Sequence, residues 1–146
     1  MENDSIREVL DRYGKYTSMT AGYSMWPLLK NQRDNIIVIK NKDRLKKYDI
    51  ALYERNGKYI MHRVTEVHPD HYIIIGDNCL AKEYVTDDMV CGVLAGFYRK
   101  GKKYIDCQNG KGQALYARIW VAFYPLRRLW LFAQRCGRKI KHLFTK

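Results

Sequence analysis

The apolar residues of the chain recur at different spacings along its length, and each spacing predicts one kind of secondary structure. In residues 6–10 they lie three and four positions apart, as on one face of a helix. Ser5 precedes them and Glu8 follows it by three residues, which is the pattern of a helix capping box. We therefore predict a short N-terminal helix over residues 5–13 that Gly14 ends.

Between residues 28 and 106 the apolar positions change to short β-branched and aromatic runs separated by turn signals. The Asn-Gly pair at residues 56–57 predicts a two-residue hairpin turn, and residues 86–88 predict a single helical turn. Strands that recur every eight to twelve residues are typical of an antiparallel sheet. We predict a mainly β fold with a coiled, barrel-like antiparallel sheet, whose strands lie in residues 28–40, 49–53, 58–67, 72–75, 90–98 and 103–106.

Residues 112–146 change pattern again, because helical spacing of apolar residues is combined there with many basic residues. The apolar face consists of Leu126, Leu129, Trp130, Ala133, Gly137, Ile140 and Phe144. We predict an amphipathic, basic helical tail, with a re-entrant hairpin bent at Pro125 as an alternative. Such a tail is suited to lie in an anionic membrane interface; helices packed on the sheet, or a helix that binds a partner protein, are the alternatives.

These patterns divide the 146 residues into an N-terminal helix (1–17), a sheet domain (18–106) and the helical tail (112–146). The net charge of +12 is concentrated in the tail, because residues 107–146 contain nine lysines and arginines and no acidic residue. This charge also fits a nucleic-acid-binding module, but neither a zinc-knuckle nor an RNP-like pattern accompanies it. We therefore expect the tail to contact an anionic membrane surface rather than nucleic acid.

The cysteines and the N-terminus give expectations about the compartment. The four cysteines show no paired spacing, and residues 1–4 are polar and acidic, unlike a secretory signal. No stretch reaches the roughly 18 uninterrupted apolar residues of a membrane-spanning helix. We expect a protein with reduced thiols, attached peripherally or monotopically to the cytoplasmic side of a membrane. We expect no metal or other cofactor, since His68 and His71 lack recognised ligand spacing.

Three short motifs carry groups suited to acyl transfer. Residues 22–27 (Gly-Tyr-Ser-Met-Trp-Pro) form a turn, residues 61–64 (Met-His-Arg-Val) lie in a strand, and residues 76–78 (Gly-Asp-Asn) end the next strand. A serine hydroxyl becomes an effective nucleophile when a neighbouring base accepts its proton, and an imidazole held by a carboxylate is such a base. A turn serine and a sheet histidine without a catalytic role are the alternative interpretation. The motifs together favour Ser24 as nucleophile and His62 as base.

In this order and spacing, over residues 18–98, the three motifs and the segment at residues 48–52 (Tyr-Asp-Ile-Ala-Leu) resemble the type I signal peptidase family. That family shares its catalytic fold with LexA-type self-cleaving repressors. His62 stands where the bacterial branch has lysine, and so resembles the histidine branch. The resemblance implies that residues 18–106 form a catalytic domain with Ser24 as nucleophile and His62 as general base. It places the third, acidic residue at Glu83, with Asp77 as the competing candidate.

The same resemblance implies how a peptide is bound. The Ser24 backbone N–H is the first candidate donor to the oxyanion, and Gly22 stands where some family members carry a hydroxyl as second donor. Met25 is expected to fix the turn. Trp26 replaces a residue that is commonly acidic, which puts an aromatic side chain near the cleft. The substrate, a signal or leader peptide, is expected to pair as an extended strand along a sheet edge.

The resulting prediction is a serine endopeptidase that cleaves signal or leader peptides near a membrane. One alternative is an enzyme that trims the leaders of ribosomally made peptides in the cytosol. A second is a LexA-like self-cleaving regulator, although the bond between Ala21 and Gly22 is too close to Ser24 to reach back. The nine-residue N-terminal helix is also too short for a DNA-binding helix pair. The third is a non-enzymatic basic module that binds nucleic acid or membranes.

Overall fold

The computed structural model describes residues 4–144, with side chains described as far as residue 140, and shows an antiparallel β-sheet flanked by helices. The prediction of a mainly β fold is confirmed. The helices of the described chain are α1 (Ile6–Tyr13), α2 (Lys111–Ala122) and α3 (Tyr124–Phe144). Its strands are β1 (Lys15–Met19), β2 (Asn35–Ile39), β3 (Ile50–Arg55), β4 (Lys58–Val67), β5 (Tyr72–Ile75), β6 (Glu83–Val85), β7 (Val90–Arg99) and β8 (Lys103–Asp106).

Helix α1 begins and ends as its sequence predicts. The Ser5 side chain accepts a hydrogen bond from the Glu8 backbone N–H, and the Glu8 carboxylate accepts one from the Ser5 N–H at 2.7 Å. Gly14 ends the helix with a left-handed φ of 71°, a conformation that glycine adopts without steric cost. Leu10 is completely buried against the sheet, so α1 is part of the folded body.

The hairpin between β3 and β4 sets the register on which the candidate site depends. Asn56 and Gly57 both have positive φ, at 52° and 72°, as expected for a two-residue turn that matches the twist of a sheet. From this turn the pairing runs back along both strands until Ala51 lies opposite His62. Tyr53 therefore lies on the same sheet face as His62, as its diagonal neighbour.

The strands form one sheet in the order β1-β2-β7-β3-β4-β5-β6, and β8 pairs with part of β7. All pairs are antiparallel. Three register shifts interrupt the ladders, between residues 37 and 38, 52 and 53, and 64 and 66. Such bulges bend a strand and increase its twist, which agrees with the coiled sheet that the strand spacing predicts.

Apolar side chains pack on both faces of this sheet. Leu52 belongs to one cluster, with Leu10, Val38 and Phe97, whereas its neighbour Tyr53 belongs to a second. The members of the second cluster are Leu45, Ala51, Tyr53, Val64, Tyr72, Ile74, Val85, Val90 and Val93. Burial on both faces explains why residues 50–53 are apolar without alternation.

Strands β1 and β6 were absent from the sequence prediction, and both lie at the edges of the sheet. In β1, Lys15, Thr17 and Met19 are exposed and only the alternate side chains are partly buried, so its sequence carries a weak apolar signal. β6 has three residues, too few for a period of two to be recognised. The predicted segment boundary after residue 17 consequently falls inside β1.

Residues 112–146, predicted to form one amphipathic tail, correspond to two helices with different surroundings. α2 packs inward: Ala117 is buried and Tyr116 contacts the first apolar cluster. α3 begins beside Pro125, and its large apolar side chains are exposed. Within residues 4–144, no helix is both long and apolar enough to cross a membrane.

Candidate active site

Ser24 and His62 come together at Gly76. A Cβ atom built on Gly76 would lie 2.8 Å from the Ser24 carbonyl oxygen and 3.0 Å from Cδ2 of His62. The contact with the Ser24 carbonyl is shorter than a real Cβ atom shows, and the contact with the imidazole is tight, so glycine at this position lets the serine turn and the ring approach closely. The structure thus brings the two residues that the motifs single out to the same point.

Strand pairing accounts for the position of His62. In the β4–β5 ladder Arg63 lies opposite Ile75, and the next residue along β5, Gly76, therefore lies beside His62. The serine turn is tied to the same loop, because the Asn78 N–H donates to the Ser24 carbonyl at 2.8 Å. The buried Met25 adds a contact between its Sδ and the Asp77 N–H at 3.5 Å.

Glu83 lies against the imidazole. Nδ1 of His62 is 2.8 Å from Oε2 of Glu83, and the hydroxyl of Tyr53 donates a very short hydrogen bond to the same carboxylate oxygen. Nδ1 of His62 thus faces Glu83, while Cδ2, on the other side of the ring, faces Gly76 and the serine turn.

Tyr53 and Arg55 also donate hydrogen bonds to the Glu83 carboxylate. Burial, and then the hydrogen bond to Glu83, raise the pKa of Tyr53 well above its usual value, so the phenol remains protonated and donates. Arg55 forms an ion pair with the other Glu83 oxygen at 3.3 Å. One carboxylate thus receives hydrogen bonds from three side chains, which fixes the plane of the imidazole.

Asp77 has a different set of partners. Its two carboxylate oxygens accept hydrogen bonds from Nε and Nη2 of Arg63, each at 2.8 Å, and both side chains are almost completely buried. Burial alone would lower the pKa of Arg63, but the Asp77 carboxylate outweighs it and raises that pKa. Within the loop of residues 76–80, Asp77 is thus bound to Arg63, whereas the imidazole of His62 is bound to Glu83.

Aromatic residues of α2 and α3 hold the same loop from the other side. Trp120 donates its indole N–H to the Asp77 carbonyl at 2.9 Å, and the Tyr116 hydroxyl donates to the Asp77 carboxylate at 3.3 Å. The Tyr124 hydroxyl donates to the Leu80 carbonyl at 2.5 Å. The helices therefore support the segment that connects Gly76 to Glu83.

Ser24 itself is partly exposed. Among the described residues its hydroxyl forms no hydrogen bond, and the backbone N–H groups of Ser24 and Met25 likewise have no partner there. Those two N–H groups are free to donate to an oxyanion. The Gly22 N–H is already bound to Oδ1 of Asn31 at 2.9 Å, and Gly22 has a positive φ of 84°, so Gly22 shapes the turn.

Cys79 is a second candidate nucleophile beside the Ser24 turn. Its Sγ lies 3.9 Å from the Ser24 carbonyl oxygen. Burial, and then the charge of Glu83, raise the pKa of the Cys79 thiol. A thiol in that state is a poor nucleophile, so the hydroxyl of Ser24 is the better candidate.

A cavity of about 410 Å³ opens beside Ser24. It lies between β1 and the first part of β4. The edge of β1 that does not pair with β2 has no strand partner in the described chain. The first part of β4 comes before the residues that pair with β5. The lining of the cavity includes Tyr16, Ser18, Gly22, Ser24, Tyr59 and Met61. Two free strand edges on either side of a mainly apolar cavity are suited to bind an extended peptide.

Trp26 lies outside this cavity. About half of its side chain is exposed, and it lies beside Trp120, Phe123, Leu126 and Trp130 of the helices. The aromatic side chain that the sequence places near the cleft thus belongs to a surface shared with α2 and α3.

Sequence reasoning missed the roles of Tyr53 and Gly76. The hairpin signal at residues 56–57 fixes the β3–β4 register, and that register alone puts Tyr53 diagonal to His62. Gly76 belongs to a recognised motif, but its function depends on the approach of Ser24 from a distant segment, which no local pattern contains.

Compared with known proteins, this sequence matches no protein-family model and no curated protein.

Proposed function

We propose that the protein is a serine endopeptidase of the signal peptidase type, with the LexA-like catalytic fold. The observation that carries the proposal is the arrangement of three groups around Gly76: the Ser24 turn, the His62 ring, and Glu83 bound to Nδ1 of that ring. A hydroxyl, an imidazole and a carboxylate in this order are the parts of an activated serine nucleophile.

In the proposed reaction Oγ of Ser24 attacks the carbonyl carbon of the scissile peptide bond. Nε2 of His62 takes the hydroxyl proton, and Glu83 stabilises the imidazolium that forms. The C–N bond then breaks, and the leaving amine receives that proton from His62. Water, deprotonated by His62, hydrolyses the Ser24 ester, so that the acid product leaves and Oγ regains its proton.

The backbone N–H groups of Ser24 and Met25 are the proposed donors to the oxyanion. Both lack a partner within the described residues and both belong to the turn that carries the nucleophile. Each correctly placed donor of this kind stabilises the transition state by about 3 kcal/mol. Since position 22 is glycine, the Met25 N–H takes the place of the hydroxyl that some members of the resembled family carry there.

The proposed substrate is a signal or leader peptide bound as an extended strand. Its segment before the scissile bond lies in the cavity between β1 and β4, with backbone hydrogen bonds to the free strand edges. Small side chains suit a cavity of this volume. Glu83 rather than Asp77 is the proposed third catalytic residue, since the Asp77 carboxylate is bound to Arg63.

The experiment is cleavage of a library of signal and leader peptides, followed by mass spectrometry. The wild-type protein should cut at defined positions after small residues, and Ser24→Ala should abolish cutting while the fold is retained. Thr17→Ala is the matched control, because Thr17 carries an exposed hydroxyl on β1 and does not line the cavity. Turnover that survives in Ser24→Ala would exclude Ser24 from the reaction.

We also propose that the helices attach the protein to an anionic membrane surface. The specific observation is that Leu126, Leu129, Trp130 and Phe132 of α3 are each about 60% exposed. Trp26 extends this apolar surface to within two residues of Ser24. Basic side chains occupy the flanks of the helix. Apolar and aromatic residues flanked by arginine are the composition of an interfacial helix.

A further inference from the structure

A second and larger groove, of about 1020 Å³, lies between the loop that follows Gly76 and helix α3. One wall is the loop of residues 78–82, and the other is the face of α3 that includes Tyr124, Arg128, Phe132 and Arg135. The proposed mechanism uses none of the side chains of α3, so this groove has no role in the chemistry described above.

The groove is continuous with the reacting centre. Asn78 lines the groove, and its N–H donates to the Ser24 carbonyl at 2.8 Å. Cys79, a further lining residue, lies 3.9 Å from that carbonyl oxygen. Ser24 and Gly22 line the peptide cavity. An extended chain that occupies the cavity and passes Ser24 therefore enters the groove within a few residues.

The charge of the groove has one sign. Lys82, Arg128 and Arg135 line it, and no acidic side chain does among the described residues. Arg128 and Arg135 form no ion pair in the part of the chain that the structure describes, and Lys82 has only a distant contact with Glu66 at 3.8 Å. Leu80, Leu129 and Phe132 provide an apolar floor. Two arginines without an ion pair among the described residues, beside exposed apolar side chains, favour an acidic, partly apolar ligand.

We propose that this groove binds an acidic segment of the substrate that follows the scissile bond. The inference rests on the proposed peptidase function and names its substrate class: a peptide with small residues before the cleaved bond and aspartate or glutamate within a few residues after it. The continuity with Ser24 favours a peptide over an anionic lipid as the ligand.

The test is equilibrium binding to Ser24→Ala protein, which cannot cleave its ligand. Two fluorescent peptides share one segment of small apolar residues, followed either by Asp-Glu-Asp-Glu or by Asn-Gln-Asn-Gln. We expect the acidic peptide to bind about tenfold more tightly at low salt, with a preference that decreases as ionic strength rises. Equal affinity of the two peptides would overturn the inference.

Substitutions on α3 test whether the groove arginines cause the preference for the acidic peptide. Arg128→Gln combined with Arg135→Gln should abolish it, whereas Arg128→Lys with Arg135→Lys should retain most of it. The matched control is Arg138→Gln with Lys139→Gln, which removes the same charge from exposed positions of α3 outside the groove. A control pair that weakens binding as much as the groove pair would show a general effect of charge and contradict the proposal.

Binding to phosphatidylglycerol vesicles distinguishes an acidic peptide from an anionic lipid as the ligand of the groove. If the groove pair lost vesicle binding and kept its preference for the acidic peptide, the groove would be a lipid site and the inference would be wrong. Because binding is measured without turnover, its outcome is independent of the cleavage experiment. Cleavage without a charge preference would remove this inference alone. A charge preference without cleavage would remove the peptidase proposal, and the groove would then be a binding site for acidic peptides with no scissile bond.

Discussion

The imidazole of His62 contacts a carboxylate on one side of the ring and the serine turn on the other. Nδ1 is held by Glu83 at 2.8 Å, while the opposite side of the ring approaches Gly76 and the serine turn. An imidazole that is held at one nitrogen by a carboxylate can accept a proton at the other nitrogen. At the scale of single residues, the proposed activity therefore depends on Glu83 for orientation and on Asp77 only for the shape of the loop.

Substitution of the two carboxylates should separate these roles. Glu83→Gln leaves the volume unchanged but removes the charge that fixes the tautomer, so we expect kcat to fall about 10²- to 10⁴-fold with little loss of stability. Asp77→Asn leaves Arg63 buried without a charged partner, so we expect the free energy of unfolding to fall by about 3 to 5 kcal/mol. Peptide cleavage and urea unfolding of both variants would check this. A catalytic defect confined to Asp77→Asn would reverse the assignment.

The order and spacing of the motifs predicted Ser24 and His62, and the resemblance to the signal peptidase family placed the acidic residue at Glu83, with Asp77 as the competitor. The sequence left Glu83 and Asp77 unresolved, since both are acidic residues near the end of one strand. Their partners decide between them, and those partners come from other segments: Arg63 from β4, and Tyr116 and Trp120 from α2. Such contacts depend on tertiary packing, which one-dimensional spacing does not determine.

At the scale of elements, the strands with strong apolar runs and the capped helix were predictable. The edge strands β1 and β6 were missed because one is half polar and the other has three residues. The tail was predicted as one amphipathic unit, although α2 and α3 differ. α2 packs on the 76–80 loop, whereas the apolar side chains of α3 point outward. Deletion of both helices would therefore disturb the candidate site as well as the apolar surface.

Point substitutions on α3 test the membrane proposal without that complication. Leu129→Ser combined with Trp130→Ser removes two large exposed side chains, and we expect binding to phosphatidylglycerol vesicles to fall more than tenfold, because each such side chain contributes about 1.5 to 3 kcal/mol when buried. Flotation of the vesicles measures the bound fraction. Tyr13→Ser with Val67→Ser, two exposed apolar positions elsewhere, is the control. Unchanged flotation of the α3 variant would exclude this face as the contact.

At the scale of the whole molecule, the residues of the candidate site contact members of both apolar clusters. Met25, next to the nucleophile, belongs to the first cluster, and Tyr53, which binds Glu83, belongs to the second. The stability of the fold and the geometry of the site are therefore linked through buried tyrosine. Because this tyrosine is titratable, it also makes the free energy of unfolding depend on pH in the alkaline range.

Burial and the Glu83 carboxylate raise the pKa of Tyr53 in the folded state. Above about pH 10 the unfolded chain releases this proton first, so the contribution of Tyr53 is complete below that pH and is lost as pH rises. We expect the free energy of unfolding to decline less steeply above pH 10 in Tyr53→Phe, by up to about 1.4 kcal/mol per pH unit. Urea unfolding between pH 7 and 12 checks the slope. Exposed Tyr13→Phe should decline like the wild type, and identical slopes for all three proteins would contradict the expectation.

The most direct test of the central claim is covalent labelling with a fluorophosphonate probe, followed by mass mapping of the modified residue. The account predicts a single adduct on Ser24, absent in Ser24→Ala and strongly reduced in His62→Ala, with all proteins folded by circular dichroism. Labelling of a different serine, or labelling of Ser24 at an undiminished rate without His62, would contradict the claim that folding assembles these two residues into one nucleophilic centre.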